Sequence, residues 1–326
     1  MPDHFALIYN PRSRRNLKID RQYQEVVRAM PSGMCHAPRS HAELRRVIEN
    51  LARVPPACIV VDGGDGTVGS VLSALHASSW PHEYWPSLAV LPSGNTNLIA
   101  ADVGFGMRGP EALRLVRDRL ASGQAGAKLC RRRPLVVSRM GHEGEDILGF
   151  FGGLGAFARG IEIAHKPGVL EHWSHDMAVL VTLLISFAQL ISPAQRRSWL
   201  AGVTAGITAD GHAMPGAEHF LLLCTSLQRL PYGAWPFWNA AGEADRGLSY
   251  LDVAAMPKRL FPAAWNLLRG HVPQWLKQSG SYASGRADRL VLQTRQAFVL
   301  DGEVLSPGTD GRITIAAGPM VSFLQA

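Results

Sequence analysis

Up to about residue 130 the chain alternates short unbroken apolar runs with segments whose apolar residues recur every three or four positions. The runs FALIYNP, ACIVVD and SLAVLPSG, starting at Phe5, Ala57 and Ser87, predict buried strands, and GMCHAP, from Gly33, a weaker one. RQYQEVVRAM, SHAELRRVIENLARV and EALRLVRDRLASG predict helices, with a further helix after Thr67. In the second of these, Leu44, Val47, Ile48 and Leu51 share one face, and Ser40 stands as an N-cap with Glu43 three residues on. Strands and helices in alternation predict βαβ units, a parallel sheet and helices on both of its faces. Such sheets take ligands at the carboxyl ends of their strands.

Beyond Arg133 the pattern changes. PLVVSRM, DILGFFGG, AGVTAGITADG, HFLLLCTSL, LSYLDVAAM, RLVLQTRQAFVLDGEVL and GRITIAAG are short, turn-bounded and rich in β-branched residues. They predict a mainly antiparallel β domain interrupted by helices near 172–192 and 257–276. The expected division is 1–133 and 134–326, with room for the last residues to pack back on the first domain. The apolar run Met177 to Ser192 is shorter than the ~20 residues of a spanning helix and contains Thr182, Ser186, Gln189 and Ser192, so it reads as a buried helix, with contact with a membrane surface as the alternative.

Composition narrows the picture. A chain of 326 residues with 47% hydrophobic content can bury two cores of ordinary size. The formal charge is +7, and basic residues cluster at Arg12, Arg14, Arg15 and Lys18, at Arg45 and Arg46, at Arg131 to Arg133, and at Arg196 and Arg197. Each cluster alone reads as a solvated face; together they favour an anionic partner, a phosphate or an acidic membrane surface. No nucleic-acid module accompanies them, so no nucleic-acid partner is expected. Cys35, Cys58, Cys130 and Cys224 lie far apart, without zinc spacing, which suits a reducing compartment. The opening MPDHFALIYNPRSRR lacks a basic segment followed by an apolar one, so a cytoplasmic location is expected.

The chemistry concentrates in loops. IVVDGGDGTVGSVLSAL, from Ile59, begins as a strand and ends as a helix, with Gly63, Gly64, Asp65, Gly66 and Thr67 between. A glycine-rich loop leading into a helix offers inward N–H groups and an electropositive helix end to a phosphate. It fits neither G-x-x-x-x-G-K-[ST] nor G-x-G-x-x-G. Asp65 would repel phosphate, so it binds a hydroxyl, meets a cation, acts through a metal, or serves as a local cap. One βαβ unit on, Ser93, Gly94, Asn95, Thr96 and Asn97 follow another strand, and Asn10 follows the first. Right-handed crossovers bring these three strand ends to one edge of the sheet.

NPRS, GGDGT, LPSGNTN and a late DGE at Asp301 to Glu303, in that order, resemble the diacylglycerol kinase catalytic family, whose superfamily includes bacterial diacylglycerol, sphingosine and ceramide kinases. GGDGT alone is shared with NAD kinases. The segments FFGGLGAFARGIE and LPYGAWPFWNAAGEADRGLSYLDVA also resemble the family's second domain. The resemblance implies an α/β nucleotide domain like that of NAD kinases and phosphofructokinases, then a β-sandwich-like lipid domain, with the active site in the cleft between them. It implies transfer of a phosphoryl group from ATP, with Mg²⁺, to a lipid alcohol such as diacylglycerol. Gly63, Gly64, Gly66 and Thr67 would hold the ATP phosphates, and Asn10, Ser93, Gly94, Asn95, Thr96 and Asn97 would complete the pocket. Asp301 would be the general base, with Glu303 in metal or nucleotide contact and Asp65 a second catalytic candidate; no metal ligand is assigned. Peripheral attachment to an anionic membrane is expected, and a homodimer is compatible. The alternatives are a NAD-kinase-like phosphotransferase on a soluble substrate and a catalytically silent lipid- or nucleotide-binding regulator. The chain departs from the family pattern at Arg14, where NPxSG has its glycine, at Asn95 and Leu98 in place of Thr and Asp, and at Asp245-Arg246-Gly247, where an Asp-Asp-Gly is usual.

Overall fold

The structure, a computed structural model, describes residues 4–17, 21–28, 30, 33–94, 96–122, 128–142, 145–164, 193–239 and 247–326. Asn95, the run 177–192 and Asp245-Arg246 lie outside them. The described residues divide into two compact units, the first drawn from 1–134, 144–149 and 318–326, the second from 135–143 and 150–317.

The first unit is built on the strands β1 (Phe5–Tyr9), β2 (Cys35–His36), β3 (Cys58–Gly63), β4 (Ser87–Pro92) and β5 (Leu129–Arg132). The sheet order is β2-β1-β3-β4, then the C-terminal strand Val321–Leu324, then β5. All neighbours run parallel except β5, which lies antiparallel to Val321–Leu324. Leu7, Val60, Ala89 and Leu91 bury one face of the sheet against Tyr23, Phe105, Leu113 and Val116. Ile8, Ile59, Val61, Leu88 and Val90, the alternate positions, are buried as well. Strands covered on both faces read as unbroken apolar runs, which is why they were visible in the sequence.

Among the described residues, six helices accompany this sheet: α1 (Arg14–Leu17), α2 (Arg21–Arg28), α3 (His41–Arg53), α4 (Asp65–His76), α5 (Leu98–Val103) and α6 (Gly109–Ala121). Ser40 caps α3, its hydroxyl accepting from the Glu43 N–H at 3.2 Å, while Glu43 reaches back to the Arg39 N–H at 2.7 Å. α4 starts at Asp65, earlier than the sequence suggests, because Gly64 serves as its N-cap and the glycine-rich residues form its first turn.

The second unit is mainly antiparallel. Its strands lie in the order Glu303–Leu305, Phe298–Leu300, Phe151–Gly155, Glu218–Thr225, Val203–Ala209, Arg289–Thr294, Arg312–Ala317 and Leu135–Ser138. Leu248–Ala254 adds to Glu218–Thr225, and Tyr282–Ala287 to Leu248–Ala254, so the sheet branches. DILGFFGG does not form one strand. The backbone of Phe150 interrupts it, donating to Asp301 and accepting from Ser226 and Thr225 instead of joining the ladder. The helix expected over 257–276 is two, Leu260–Leu268 and Gln274–Lys277. Gly270, at φ 66°, and Pro273 separate them. Among the described residues, no helix is long and apolar enough to cross a membrane.

Candidate functional site

β1, β3 and β4 are parallel neighbours, so their carboxyl ends lie together. Asn10, just after β1, is fixed on all sides. Its N–H donates to the Asp62 carbonyl at 2.9 Å, and its Oδ1 accepts from the Arg12 N–H at 3.0 Å, closing a local turn. Its amide Nδ2 donates to Thr67 Oγ1 at 2.8 Å. Thr67 therefore accepts from Asn10 and keeps its own proton to give elsewhere.

Below this bridge lies Asp62, the last residue but one of β3 and 1% exposed. Its carboxylate accepts from the hydroxyls of Tyr23 and Ser93 and from Asn16 Nδ2. Burial raises its pKa, opposed by the hydrogen bonds from Ser93, Tyr23 and Asn16 and by the charge of Arg108. The buried Tyr23 phenol is pushed up in turn, by burial first and by Asp62 next. One carboxylate thus ties β3, β4, α1 and α2 together. Nothing in the sequence marked Asn16 or Tyr23 as its partners.

Two of the glycines serve packing rather than ligand approach. A Cβ on Gly64 would stand 2.9 Å from the Gly94 Cα, and one on Gly94 would in turn press on Gly64. The two loops touch backbone to backbone there, and the Ser93 N–H donates to the Gly63 carbonyl at 3.1 Å. Gly66 is different: a Cβ there meets nothing within 4 Å. Asn97, in the left-handed region at φ 50°, holds the second loop closed by accepting from the Gly94 N–H at 2.8 Å and donating to its carbonyl at 3.1 Å.

Asp65 also turns inward. Its carboxylate accepts from Thr96 Oγ1 at 2.8 Å, the Leu98 N–H at 3.0 Å and the Ile99 N–H at 3.0 Å. It caps α5, a different helix from the one it begins. Burial raises its pKa, and these hydrogen bonds, led by that from Ile99, pull the other way. Of the four choices that the sequence left open, this arrangement uses a hydroxyl, that of Thr96, and a cap, though of a helix 33 residues on rather than of its own turn.

Above the bridge is a cavity of about 380 Å³. Asn10, Gly64, Gly66 and Thr67 line it, joined by Arg12, Ser13 and Ser70 and by Arg39, Ser40 and His41 from the segment entering α3. Gly63, Ser93, Gly94, Thr96 and Asn97 are not part of that wall; they brace the loops that form it. The lining has two arginines and no carboxylate. No side chain caps α4; the Thr67 N–H donates to the Gly64 carbonyl at 2.9 Å, and the N–H groups of Asp65 and Gly66 remain for an outside acceptor. Gly66 leaves the space that such an acceptor needs. A phosphate chain fits this cradle. Among the described residues, no group of three or more His, Cys, Asp or Glu is placed to hold a metal ion.

Asp301 and Glu303 belong to the second unit. Asp301 and Gly302, at φ 46° and 88°, form the two-residue turn between Phe298–Leu300 and Glu303–Leu305. The Asp301 carboxylate accepts from the Phe150 N–H at 2.8 Å and the Phe151 N–H at 3.0 Å, one to each oxygen. Glu303 is exposed, and its carboxylate has no hydrogen bond or ion pair among the described residues.

Comparison with known proteins bears on this arrangement. Residues 4–126 match the family model of the diacylglycerol kinase catalytic domain. A candidate diacylglycerol kinase of Caenorhabditis elegans is 48% identical over 48 residues, 15% of this chain and 5% of its own length. A protein of Yersinia pestis (strain Pestoides F), named as a probable lipid kinase YegS-like, is 32% identical over 75 residues, 23% of this chain and 25% of its own. The chain thus spans between a twentieth and a quarter of these curated relatives. A solved diacylglycerol kinase structure from Bacillus anthracis str. Sterne aligns over 99% of this chain and 96% of that one, with a TM-score of 0.59 and 15% identity. A second structure from the same organism, given the same class provisionally, reaches 0.65 at 18% identity over the same shares. At these identities the structures speak to the fold, and the fold is theirs across both units. Over residues 4–126, which carry the glycine loop and the strand ends around it, the chain is similar to the diacylglycerol kinase catalytic domain.

Proposed function

We propose that the protein is an ATP-dependent lipid kinase that transfers the γ-phosphoryl group to the hydroxyl of a lipid alcohol such as diacylglycerol. The observation that carries this reading is the cavity over the uncapped end of α4: it has no carboxylate, two arginines, an open Gly66 and a Thr67 hydroxyl with its proton to spare. These are the parts that bind and orient a polyphosphate. ATP, when bound, supplies the phosphoryl group. Mg²⁺ would arrive with it, held by phosphate oxygens and water, since this ion keeps much of its hydration and needs few protein ligands.

The hydroxyl that attacks must lose a proton, and a carboxylate is the group to take it. Asp301, the base that the resemblance implies, has both carboxylate oxygens engaged by backbone N–H donors. Its role is to hold the turn in which Glu303 stands. Glu303, exposed and unengaged, is the better acceptor for the proton. Asp65 is committed to the end of α5 and is a positioning residue for the second loop.

Transfer of labelled γ-phosphate from ATP to a panel of lipid alcohols, with NAD alongside, tests the activity. Lipid labelling supports the proposal; NAD labelling or none overturns it. Two variants then test the roles. Glu303→Gln should lower kcat by ~10²-fold or more with unchanged thermal stability. Asp301→Asn should lower stability as well, because its amide would set an N–H against an N–H. If Glu303→Gln keeps near-normal kcat, and Asp301→Asn loses it at unchanged stability, Asp301 is the base. A diacylglycerol substrate resides in a bilayer, so the reading includes peripheral attachment of the protein to an anionic membrane.

A further inference from the structure

We propose that the helix Leu260–Leu268 and the turn before it are the surface by which this protein docks on an anionic lipid bilayer. The assignment deepens the peripheral attachment proposed above, and it starts from an inversion of ordinary helix patterning. A surface helix puts apolar residues inward and polar ones outward. This one buries Ala263 and Leu267 and turns Phe261, Trp265 and Leu268 to solvent, at 48%, 60% and 44% exposure. The spacings of four and three place these three on one outward face. Met256, in the preceding turn, is 54% exposed, so four of the ten large hydrophobics exposed among the described residues fall between Met256 and Leu268. Single exposed apolar residues need no explanation, but a contiguous group marks a contact surface.

Charge says which contact. From Val253 to Ala287 the chain has Lys258, Arg259, Arg269, Lys277 and Arg286 and no Asp or Glu. The Arg269 guanidinium lies 4.1 Å from the centre of the Trp265 ring, and that of Arg259 lies 5.5 Å from Trp275. Tryptophan with arginine beside it suits the headgroup layer, where the ring takes the apolar side and the guanidinium the phosphates. A helix whose inner face is anchored in its own domain, and whose outer face is apolar with a cationic border, can lie flat in that layer. A protein partner of complementary acidic character, or a second copy of this chain, is the competing occupant.

Co-sedimentation without ATP, using vesicles of phosphatidylcholine alone and of phosphatidylcholine mixed with phosphatidylserine, reads the docking apart from any kinase activity. The wild type is expected to bind the mixed vesicles and to release as salt rises. Arg259→Ser with Arg269→Ser should lower the partition coefficient by ~30-fold at low salt, about fivefold per cation. Phe261→Ser with Trp265→Ser should lower it by about 10-fold or more, each variant first being shown folded by thermal unfolding. Equal binding by wild type and both variants would place attachment on another surface and overturn this one. Failure of the wild type itself to bind mixed vesicles overturns peripheral attachment and this surface together. If the Phe261 and Trp265 changes dissolve a dimer in sedimentation velocity and leave vesicle binding intact, the occupant is a second copy and the bilayer assignment fails.

Discussion

Adding one methyl group at Gly64 or at Gly66 should have opposite effects on the folded protein. At Gly64 the new Cβ would stand 2.9 Å from the Gly94 Cα, a contact of backbone against backbone that no side-chain rotation relieves. The two loops would have to separate, breaking the Ser93 to Gly63 hydrogen bond of 3.1 Å on the way. Overpacking of this kind costs about 1 to 3 kcal/mol. In a domain of this size each kcal/mol moves the midpoint by about 2 to 4 °C, so Gly64→Ala should lower Tm by about 3 to 10 °C. At Gly66 the new Cβ meets nothing within 4 Å, and alanine within a helix is favoured over glycine by up to ~1 kcal/mol. Gly66→Ala should hold or raise Tm by up to about 4 °C. Its methyl nevertheless projects where a phosphate would approach the first turn of α4. Loss of one or two charge-assisted hydrogen bonds there would weaken ATP by ~10- to 100-fold. Thermal unfolding without nucleotide, followed by calorimetric titration with ATP, separates the two effects. A Gly64→Ala protein with wild-type Tm, or a Gly66→Ala protein that binds ATP normally, would refute the division of labour between these glycines.

Other outcomes follow from the buried charges. Asp62, Asp65 and His219 all hold their protons more tightly folded than unfolded, so the stability they contribute is full below the ordinary 3.8 and 6.5 and is lost as pH rises through their higher folded values. Tm should therefore decline from mildly acid towards alkaline pH, and Asp62→Asn should flatten the carboxylate part of the slope; a Tm that rises over this range contradicts the shifts. His219 is 1% exposed, and its Nδ1 lies 2.8 Å from Asp252. Burial pushes its imidazole down, but Asp252 and the carbonyls of Ala205 and Gly216 together outweigh it. His219→Leu would strand Asp252 and should cost ~3 to 5 kcal/mol in denaturant unfolding, with Asp252→Leu added restoring part of it; no recovery in the double variant would show that the pair is not coupled. Arg132 grips Asp102 with two hydrogen bonds of 2.8 and 2.9 Å where the carboxylate is fully buried, so Arg132→Met should cost a comparable amount, and a loss under ~1 kcal/mol would mean that water reaches Asp102.

What the sequence revealed and what it hid divide along the range of the interactions. Ile59 to Val61 and Leu88 to Leu91 announced themselves because a strand buried on both faces must be apolar throughout. Ser40 and Glu43 announced a helix start because the cap is completed within four residues. The Asp301-Gly302 turn was equally local. The roles of Gly64, Asp65 and Asp62 were not, since each depends on a partner about thirty residues away whose position only the folded sheet decides. Arg132 misled for the same reason. Inside the run Arg131 to Arg133 it looks solvated, yet β5 carries its side chain against Asp102. The helix Leu260–Leu268 gave no warning either, because its composition is that of a core helix and only the fold reveals that one side faces water.

The strand Val321–Leu324 lies between β4 and β5, although almost the whole second unit separates it from β5 in the chain. During synthesis, then, β4 waits with an open apolar edge while everything from Leu135 to Ala317 leaves the ribosome. At ~5–20 residues per second this interval is on the order of ten seconds or more. An exposed edge of this kind is a template for pairing with the wrong chain, and a nascent polypeptide in that state is a natural client for a chaperone. The sheet of the first unit is begun before the second unit and finished after it. Its completion reports that translation has passed Leu324.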